Sequence, residues 1–198
     1  MEILYTVLDR TLTDIPSEIS EYTKNKILSK RAENDRSLSI ASALLLKSAC
    51  ADRGIDEKNV IYSENEYGKP YFKSNPELRF SLSHSKNMVI LAIDTDEIGI
   101  DCEPLERMVT KSVASRFFSE REVYEFRDDL LLLWVTKESL CKLTGKGLSL
   151  GAWDTDITLY TEELETNNIF VKKFTLDGYV AVVSSRHEIS CVPKRIVL

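Results

Sequence analysis

One local order occurs twice along this chain: a long helix with an apolar stripe, then strands that pair antiparallel. Residues 32–52 place Leu38, Ala41, Leu44, Leu45 and Cys50 at helical spacing, and Arg53-Gly54 supplies a stop. Residues 79–94 then read as a hairpin, with Arg79-Phe80-Ser81-Leu82-Ser83 joined through His84-Ser85-Lys86-Asn87 to a strand over 88–94. The order returns as a helix over 130–144, followed by strands over 169–174 and 179–184. Asp177-Gly178-Tyr179-Val180 repeats the pattern of Lys86-Asn87-Met88-Val89. An apolar helix stripe and a half-buried sheet each need a cover. The sequence therefore predicts an α+β fold of two similar halves, residues 1–103 and 104–198. Each half is a long helix on a small antiparallel sheet, and the two pack as a pseudo-dimer. Smaller elements complete the expectation: a strand over 2–8, a helix within 17–30, a short strand at 60–62, a turn at Tyr67–Pro70 and an extended piece at 157–160. A further helix over 119–127 opens on the capping-box pair Ser119 and Glu122.

Composition narrows the function. The 198 residues are 43% apolar and 29% charged, as in ordinary globular proteins, and only 12 are Gly or Pro, which disfavours a long disordered linker. No window approaches about 18 uninterrupted apolar residues, so no membrane span is expected. Met1-Glu2-Ile3-Leu4-Tyr5 lacks the basic and apolar regions of a signal peptide, so the expected location is the cytoplasm. Cys50, Cys102, Cys141 and Cys191 are scattered, and with two histidines they offer no zinc spacing; reduced thiols are expected. The net charge of −6 disfavours broad nucleic-acid binding. Local basic clusters remain, one at Lys24, Lys26, Lys30, Arg31 and Arg36, another at Lys137, Lys142 and Lys146.

Two short segments carry the chemistry. In Gly99-Ile100-Asp101-Cys102-Glu103 an extended backbone turns both carboxylates to one side. In Trp134-Val135-Thr136-Lys137-Glu138-Ser139-Leu140-Cys141-Lys142, Glu138 and Lys142 share a helix face. A D-x-E pair is usually two exposed acids, and a Glu–Lys pair four apart is usually a surface contact of a few tenths of a kcal/mol. Here Gly99 and Pro104 fix a turn beyond an apolar strand, and Lys137-Glu138 follows Leu130–Val135, which must be largely buried. Charges attached to a buried helix need partners. Mg²⁺ bridging Asp101, Glu103 and Glu138 would supply one and would suit a phosphate ester. Glycine-rich phosphate motifs are absent, and Lys142–Gly147 fits a helix C-cap better.

Taken in order, the pieces resemble the 4′-phosphopantetheinyl transferase superfamily, of the longer surfactin-synthetase-activating (Sfp) type. The matching string is Tyr67-Gly68-Lys69-Pro70, Phe80–Ser85, Gly99–Glu103, Arg116-Phe117-Phe118-Ser119, Trp134 with Lys137-Glu138-Ser139, and Lys142 through Lys146–Leu150. The resemblance covers roughly residues 30–150. Cys102 departs from the family's usual aliphatic residue, and the chain is short for the type after residue 150.

The resemblance implies Mg²⁺-dependent transfer of phosphopantetheine from coenzyme A to a serine of an acyl or peptidyl carrier protein, releasing adenosine 3′,5′-bisphosphate. It implies Asp101, Glu103 and Glu138 as metal ligands, with Asp101 also at the coenzyme. Lys142 would stand at the leaving phosphate and Glu138 would be the base. It further implies Lys69 and Pro70 near the nucleotide, and Arg31, Arg36, Ser83 and His84 at coenzyme A phosphates. A basic and apolar docking patch is expected within 105–124, where Arg107, Lys111, Arg116, Phe117 and Phe118 occur. With both halves in one chain a monomer is expected. Two readings from other classes stand beside this one: a non-catalytic module binding coenzyme A or a carrier protein, and a Mg²⁺-dependent phosphodiesterase or nuclease built on the same acids.

Overall fold

Alternation along three strands sets the architecture of the computed structural model, which describes residues 1–147, 157 and 169–198. Strand β5 (Met88–Asp94) is buried on both faces. Its Val89, Leu91 and Ile93 join Leu38, Ala41, Leu45 and Cys50 of helix α2 (Glu33–Ala51) in one core, while Met88, Ile90 and Ala92 face the opposite way. That opposite core takes Ile98, Ile100 and Cys102 from β6 (Ile98–Pro104), and Tyr179, Ala181 and Val183 from β8 (Tyr179–Ser185). The other face of β8, Val180 and Val182, meets Val135 of helix α5 (Leu130–Thr144). The layers are thus helix, sheet, sheet, helix, an α+β fold.

The first sheet has the order β4-β5-β1-β9. Here β1 is Glu2–Val7, β4 is Arg79–Ser85, and β9 (Lys194–Arg195) returns from the C-terminal region to pair parallel with β1. The second sheet has the order β6-β8-β7, with β7 at Phe170–Leu176. Each sheet holds one two-residue hairpin, at Lys86-Asn87 and at Asp177-Gly178. Lys86, Asp177 and Gly178 take the positive φ that such tight connections demand. The similarity of the two sequence pieces is therefore the similarity of two hairpin turns entering two buried strands. A small ribbon, β2 (Tyr62–Glu64) with β3 (Pro70–Phe72), lies beside the first sheet.

The shorter helices follow their caps. Ser20 caps α1 (Glu21–Leu28) by accepting from the Thr23 amide, and the Ser119–Glu122 capping box opens α4 (Glu120–Glu125) after the single turn α3 (Lys111–Ala114). Helix α5 starts on Asp129 and ends on Gly145 at φ 72°. The expected strand at 157–160 lies outside the described residues except for Ile157. No helix among the described residues is long and apolar enough to cross a membrane.

One contact sets how near α5 lies to the second sheet. A Cβ placed on Gly99 would sit 1.9 Å from the Ser139 carbonyl oxygen and 2.5 Å from the Leu143 amide nitrogen, both backbone atoms of α5. The buried Ser139 hydroxyl donates to the Gly99 carbonyl at 3.2 Å and meets the Ser184 hydroxyl of β8 at 2.7 Å. Backbone cannot yield as a side-chain tip would, so Gly99→Ala must push α5 off β6. The expected cost is about 3 kcal/mol, the upper range of overpacking, read as a lowered midpoint in chemical denaturation; a wild-type midpoint would contradict the close approach.

Candidate active site

The β6 residues of even number fill the core between the sheets, so Gly99, Asp101 and Glu103 turn toward α5. The α5 residues one turn apart, Glu138 and Lys142, meet them there. Asp101 is buried, and its Oδ1 accepts from the Ser83 hydroxyl at 2.7 Å and from Lys142 Nζ at 2.8 Å. Its Oδ2 is buried without a hydrogen-bond partner. Glu103 accepts from the Ser85 hydroxyl and pairs with Arg107, whose guanidinium stacks 5.0 Å from the Trp134 ring centroid. Glu138 is half-buried. Burial first, and then the Asp101 carboxylate, raise its pKa above the ordinary range, while Lys142 and Arg107 oppose the shift.

Strand β4 supports this cluster from the first sheet. Ser81 accepts from the Ile100 amide at 3.1 Å, Ser83 holds Asp101 and Ser85 holds Glu103. The three serines recur every second residue, so all face β6 and bridge the two sheets through side chains. Only Ser83 of the three was singled out from sequence; the signal for Ser81 and Ser85 was the same period of two.

Lys137 and Glu138 are neighbours in sequence but point to different partners. Lys137 Nζ lies 2.6 Å from Glu122 Oε1, with both side chains 2% exposed, and 5.8 Å from the Phe118 ring centroid. Glu122 also accepts from the Ser119 amide and hydroxyl and from the Ile157 amide. Breaking such a buried, hydrogen-bonded pair costs about 3–5 kcal/mol, so its role is structural. The Lys142–Asp101 pair is different, because Lys142 is 30% exposed. A partly solvated pair is worth about 1 kcal/mol or less, so this ammonium can be handed to an incoming anion.

A groove runs past Lys142 along β4, between the first sheet and the end of α5. One part, a cleft of about 260 Å³, is lined by Tyr67–Pro70 and by Cys141, Lys142, Gly145 and Gly147. The adjoining part shares Pro70, Phe80 and Leu82 and continues to His84, Lys30 and Lys26. Partial enclosure, and then the charges of Lys142 and Lys30, hold the His84 pKa below its usual value. The far wall is the stacked pair Tyr22 and Tyr62, with ring centroids 4.6 Å apart. Buried Glu57 fixes that wall by accepting from the Ser20 amide and from the hydroxyls of Ser20, Thr23 and Tyr62 at 2.6–2.9 Å.

The remaining sequence-singled residues fall in three places. Pro70 lines the groove. The Lys69 ammonium is held by Glu97 at 2.7 Å and by the Ile98 and Leu143 carbonyls at 3.3 Å, so it joins β6 to the end of α5. Arg31 and Arg36 are exposed beside the start of α2. Arg36 donates to the Lys30 carbonyl at 3.0 Å, and neither lines the cleft that Lys26, Lys30 and His84 line. In the docking segment Phe118 is buried, Phe117 and Phe118 pack edge-on against Trp134, and Met108, Leu105, Val113 and Tyr124 carry the exposed apolar surface.

Buried Asp101 paired to a partly exposed Lys142, the half-buried Glu138 and an adjoining groove lined by further cations make up the candidate site. Residues 97–191 match the family model of the 4′-phosphopantetheinyl transferase superfamily. A 4′-phosphopantetheinyl transferase of Bacillus subtilis is 31% identical over 164 residues, 76% of this chain and 73% of that protein. The 4′-phosphopantetheinyl transferase Sfp of Bacillus subtilis strain 168 is 29% identical over 209 residues, 94% of this chain and 93% of that protein. An L-aminoadipate-semialdehyde dehydrogenase-phosphopantetheinyl transferase of Saccharomyces cerevisiae is 29% identical over 151 residues, 68% of this chain and 54% of that protein. The chain belongs to the 4′-phosphopantetheinyl transferase superfamily, and its enzymatic class is that of a phosphopantetheinyl transferase.

The separation between structural and poised lysines is testable. Lys137→Met leaves the Glu122 charge buried without this counter-ion and should lower stability by about 3 kcal/mol. Lys142→Met also leaves a buried carboxylate, Asp101, without its ammonium, but that ammonium is partly solvated, so the loss of stability should be smaller than in Lys137→Met. Equal losses in the two variants would contradict the assignment.

Proposed function

We propose that the protein transfers 4′-phosphopantetheine from coenzyme A to a serine hydroxyl of an acyl or peptidyl carrier protein in a Mg²⁺-dependent reaction. Asp101 is the observation that carries this reading: a buried carboxylate with one oxygen on Lys142 and the other without a partner, facing Glu138. An unpartnered buried carboxylate oxygen is costly, and a hard cation relieves it. The donor set of Asp101, Glu103 and Glu138 is all oxygen, as Mg²⁺ prefers. No group of three His, Cys, Asp or Glu side chains is preassembled as a metal cage among the described residues.

When bound, Mg²⁺ supplies charge neutralisation at the coenzyme A pyrophosphate. The protein supplies the rest. Lys142 releases Asp101 and holds the phosphate that departs with adenosine 3′,5′-bisphosphate. Glu138 takes the proton of the attacking serine, directly or through water. The serine oxygen forms a bond to the β-phosphorus as the bond to the bridging oxygen breaks. His84, Lys30 and Lys26 line the groove for the remaining phosphates, and Pro70 packs at the nucleotide. Arg31 and Arg36, exposed beside the start of α2, would meet phosphate only by reaching inward from the surface.

The carrier protein docks beside this site, on the segment between β6 and α4 where Arg107 and the exposed Met108 and Leu105 stand. The protein works as a monomer in this reading, since the lysine and all three carboxylates come from one chain.

The test is the intact mass of an apo carrier protein after incubation with coenzyme A and Mg²⁺. A gain of one phosphopantetheine group, prevented by EDTA, is the expected result. Asp101→Ala and Glu138→Ala should lower the rate at least about 100-fold, the range for loss of a group acting on the reacting atoms, with unchanged folding by circular dichroism. Coenzyme A binding with no mass gain across several carriers would instead favour a non-catalytic binding module.

A further inference from the structure

The turn between β2 and β3 is tied together by one side chain that also reaches the end of α5. Asn65 Oδ1 accepts from the Tyr67 amide at 3.0 Å and from the Lys69 amide at 2.8 Å. The Asn65 backbone closes the same turn, with its amide donating to the Lys69 carbonyl and its carbonyl accepting from the Gly68 amide, each at 3.0 Å. Its Nδ2 then donates across the groove to the Gly145 carbonyl at 3.1 Å. Gly145 is the buried, positive-φ cap of α5, and a Cβ there would lie 2.7 Å from that same Nδ2. The Asn65 side chain thus joins the turn to the end of α5, beside the second link that Lys69 makes to the Leu143 carbonyl.

What this contact governs follows from its position. The turn supplies Tyr67–Pro70 to one wall of the cleft at Lys142, and the α5 terminus supplies Lys142, Gly145 and Gly147 to the other. Lys142 lies three residues before Gly145, in the last helical turn, where carbonyls without helical partners are most easily displaced. Lys69 adds a bond to the Leu143 carbonyl from the same turn.

We propose that Asn65 is a positioning residue for the transfer reaction: it clamps the β2–β3 turn to the α5 C-terminus and so sets the width of the cleft and the placement of the Lys142 ammonium. The role rests on the transferase reading above. Asn65 touches neither substrate nor reacting atoms; it acts through Lys142 and through the cleft walls.

Asn65→Asp separates the two halves of this role. The carboxylate keeps the acceptor for the Tyr67 and Lys69 amides but replaces the donor to Gly145 with a negative charge facing a carbonyl. Asn65→Ala removes both functions. The first readout needs no activity: hydrogen exchange by NMR at the Gly145 amide, which bonds the Cys141 carbonyl at 2.9 Å. Losing a hydrogen bond of ordinary strength corresponds to about a tenfold change in an opening equilibrium. Exchange in Asn65→Asp should therefore be about tenfold faster at Gly145 and unchanged at Lys69, and in Asn65→Ala faster at both.

The second readout is steady-state kinetics. Because small misplacement of a catalytic group is expensive, kcat/KM for coenzyme A should fall at least about tenfold in Asn65→Asp, while KM for the carrier protein stays at its wild-type value. Unchanged exchange at Gly145 would show that the clamp does not exist. Faster exchange with wild-type kinetics would show that the clamp does not position the site, and equal changes in both KM values would reduce it to a general structural contact. Wild-type protein inert toward every carrier would sink the transferase reading, and this role with it; the wild-type control identifies that case.

Discussion

Everything at the site depends on how close α5 comes to β6, and that distance is set by the hydrogen atom at Gly99. With a carbonyl oxygen of α5 where any Cβ would stand, only glycine lets the helix backbone rest on the strand. The approach places Glu138 and Lys142 over Asp101 instead of a layer of side chains away. It also explains why Ser139 is fully buried: its hydroxyl is the pin from the helix to the Gly99 carbonyl and to Ser184. Local sequence therefore specifies the site by what it leaves out as much as by the acids it supplies.

The same economy governs the charges. Lys137 and Lys142 sit on one helix, five residues apart, yet one is sealed against Glu122 and the other stays partly in water. Burial makes the first pair expensive to break and the second cheap to exchange. A phosphate-handling site needs both kinds: a fixed element to hold the helix, and a cation free to change partners as charge develops on the substrate. The complementary feature is Glu138, whose pKa burial first, and then the Asp101 carboxylate, raise above the ordinary range.

Much of this was legible in the sequence because periodicity carries it. The period of two in Gly99, Asp101 and Glu103 gave the face they share, and the spacing of Glu138 and Lys142 gave theirs. The hairpin over 79–94 and the Ser119–Glu122 capping box were equally visible, although His84 and Ser85, expected in the connection, extend β4 instead. What stayed hidden were contacts between segments distant in the chain. Glu122 reads as a capping residue until α4 is seen against Lys137. Ser81 and Ser85 read as strand polarity until β4 is seen beside β6. The links from Lys69 to Glu97 and to the α5 terminus had no sequence signal either. No local pattern encodes such pairings, because each depends on which elements the layers bring together.

The central claim is that the seam between β6 and α5 joins a divalent cation and the coenzyme A pyrophosphate in one site. Calorimetric titration of coenzyme A into the wild-type protein and into Asp101→Ala, each with Mg²⁺ and with EDTA, addresses it most directly. The account predicts that Mg²⁺ tightens coenzyme A binding about tenfold or more in wild type, equivalent to about 1.4 kcal/mol, and has no effect in Asp101→Ala. Equal affinity with Mg²⁺ and with EDTA in the wild-type protein would contradict it.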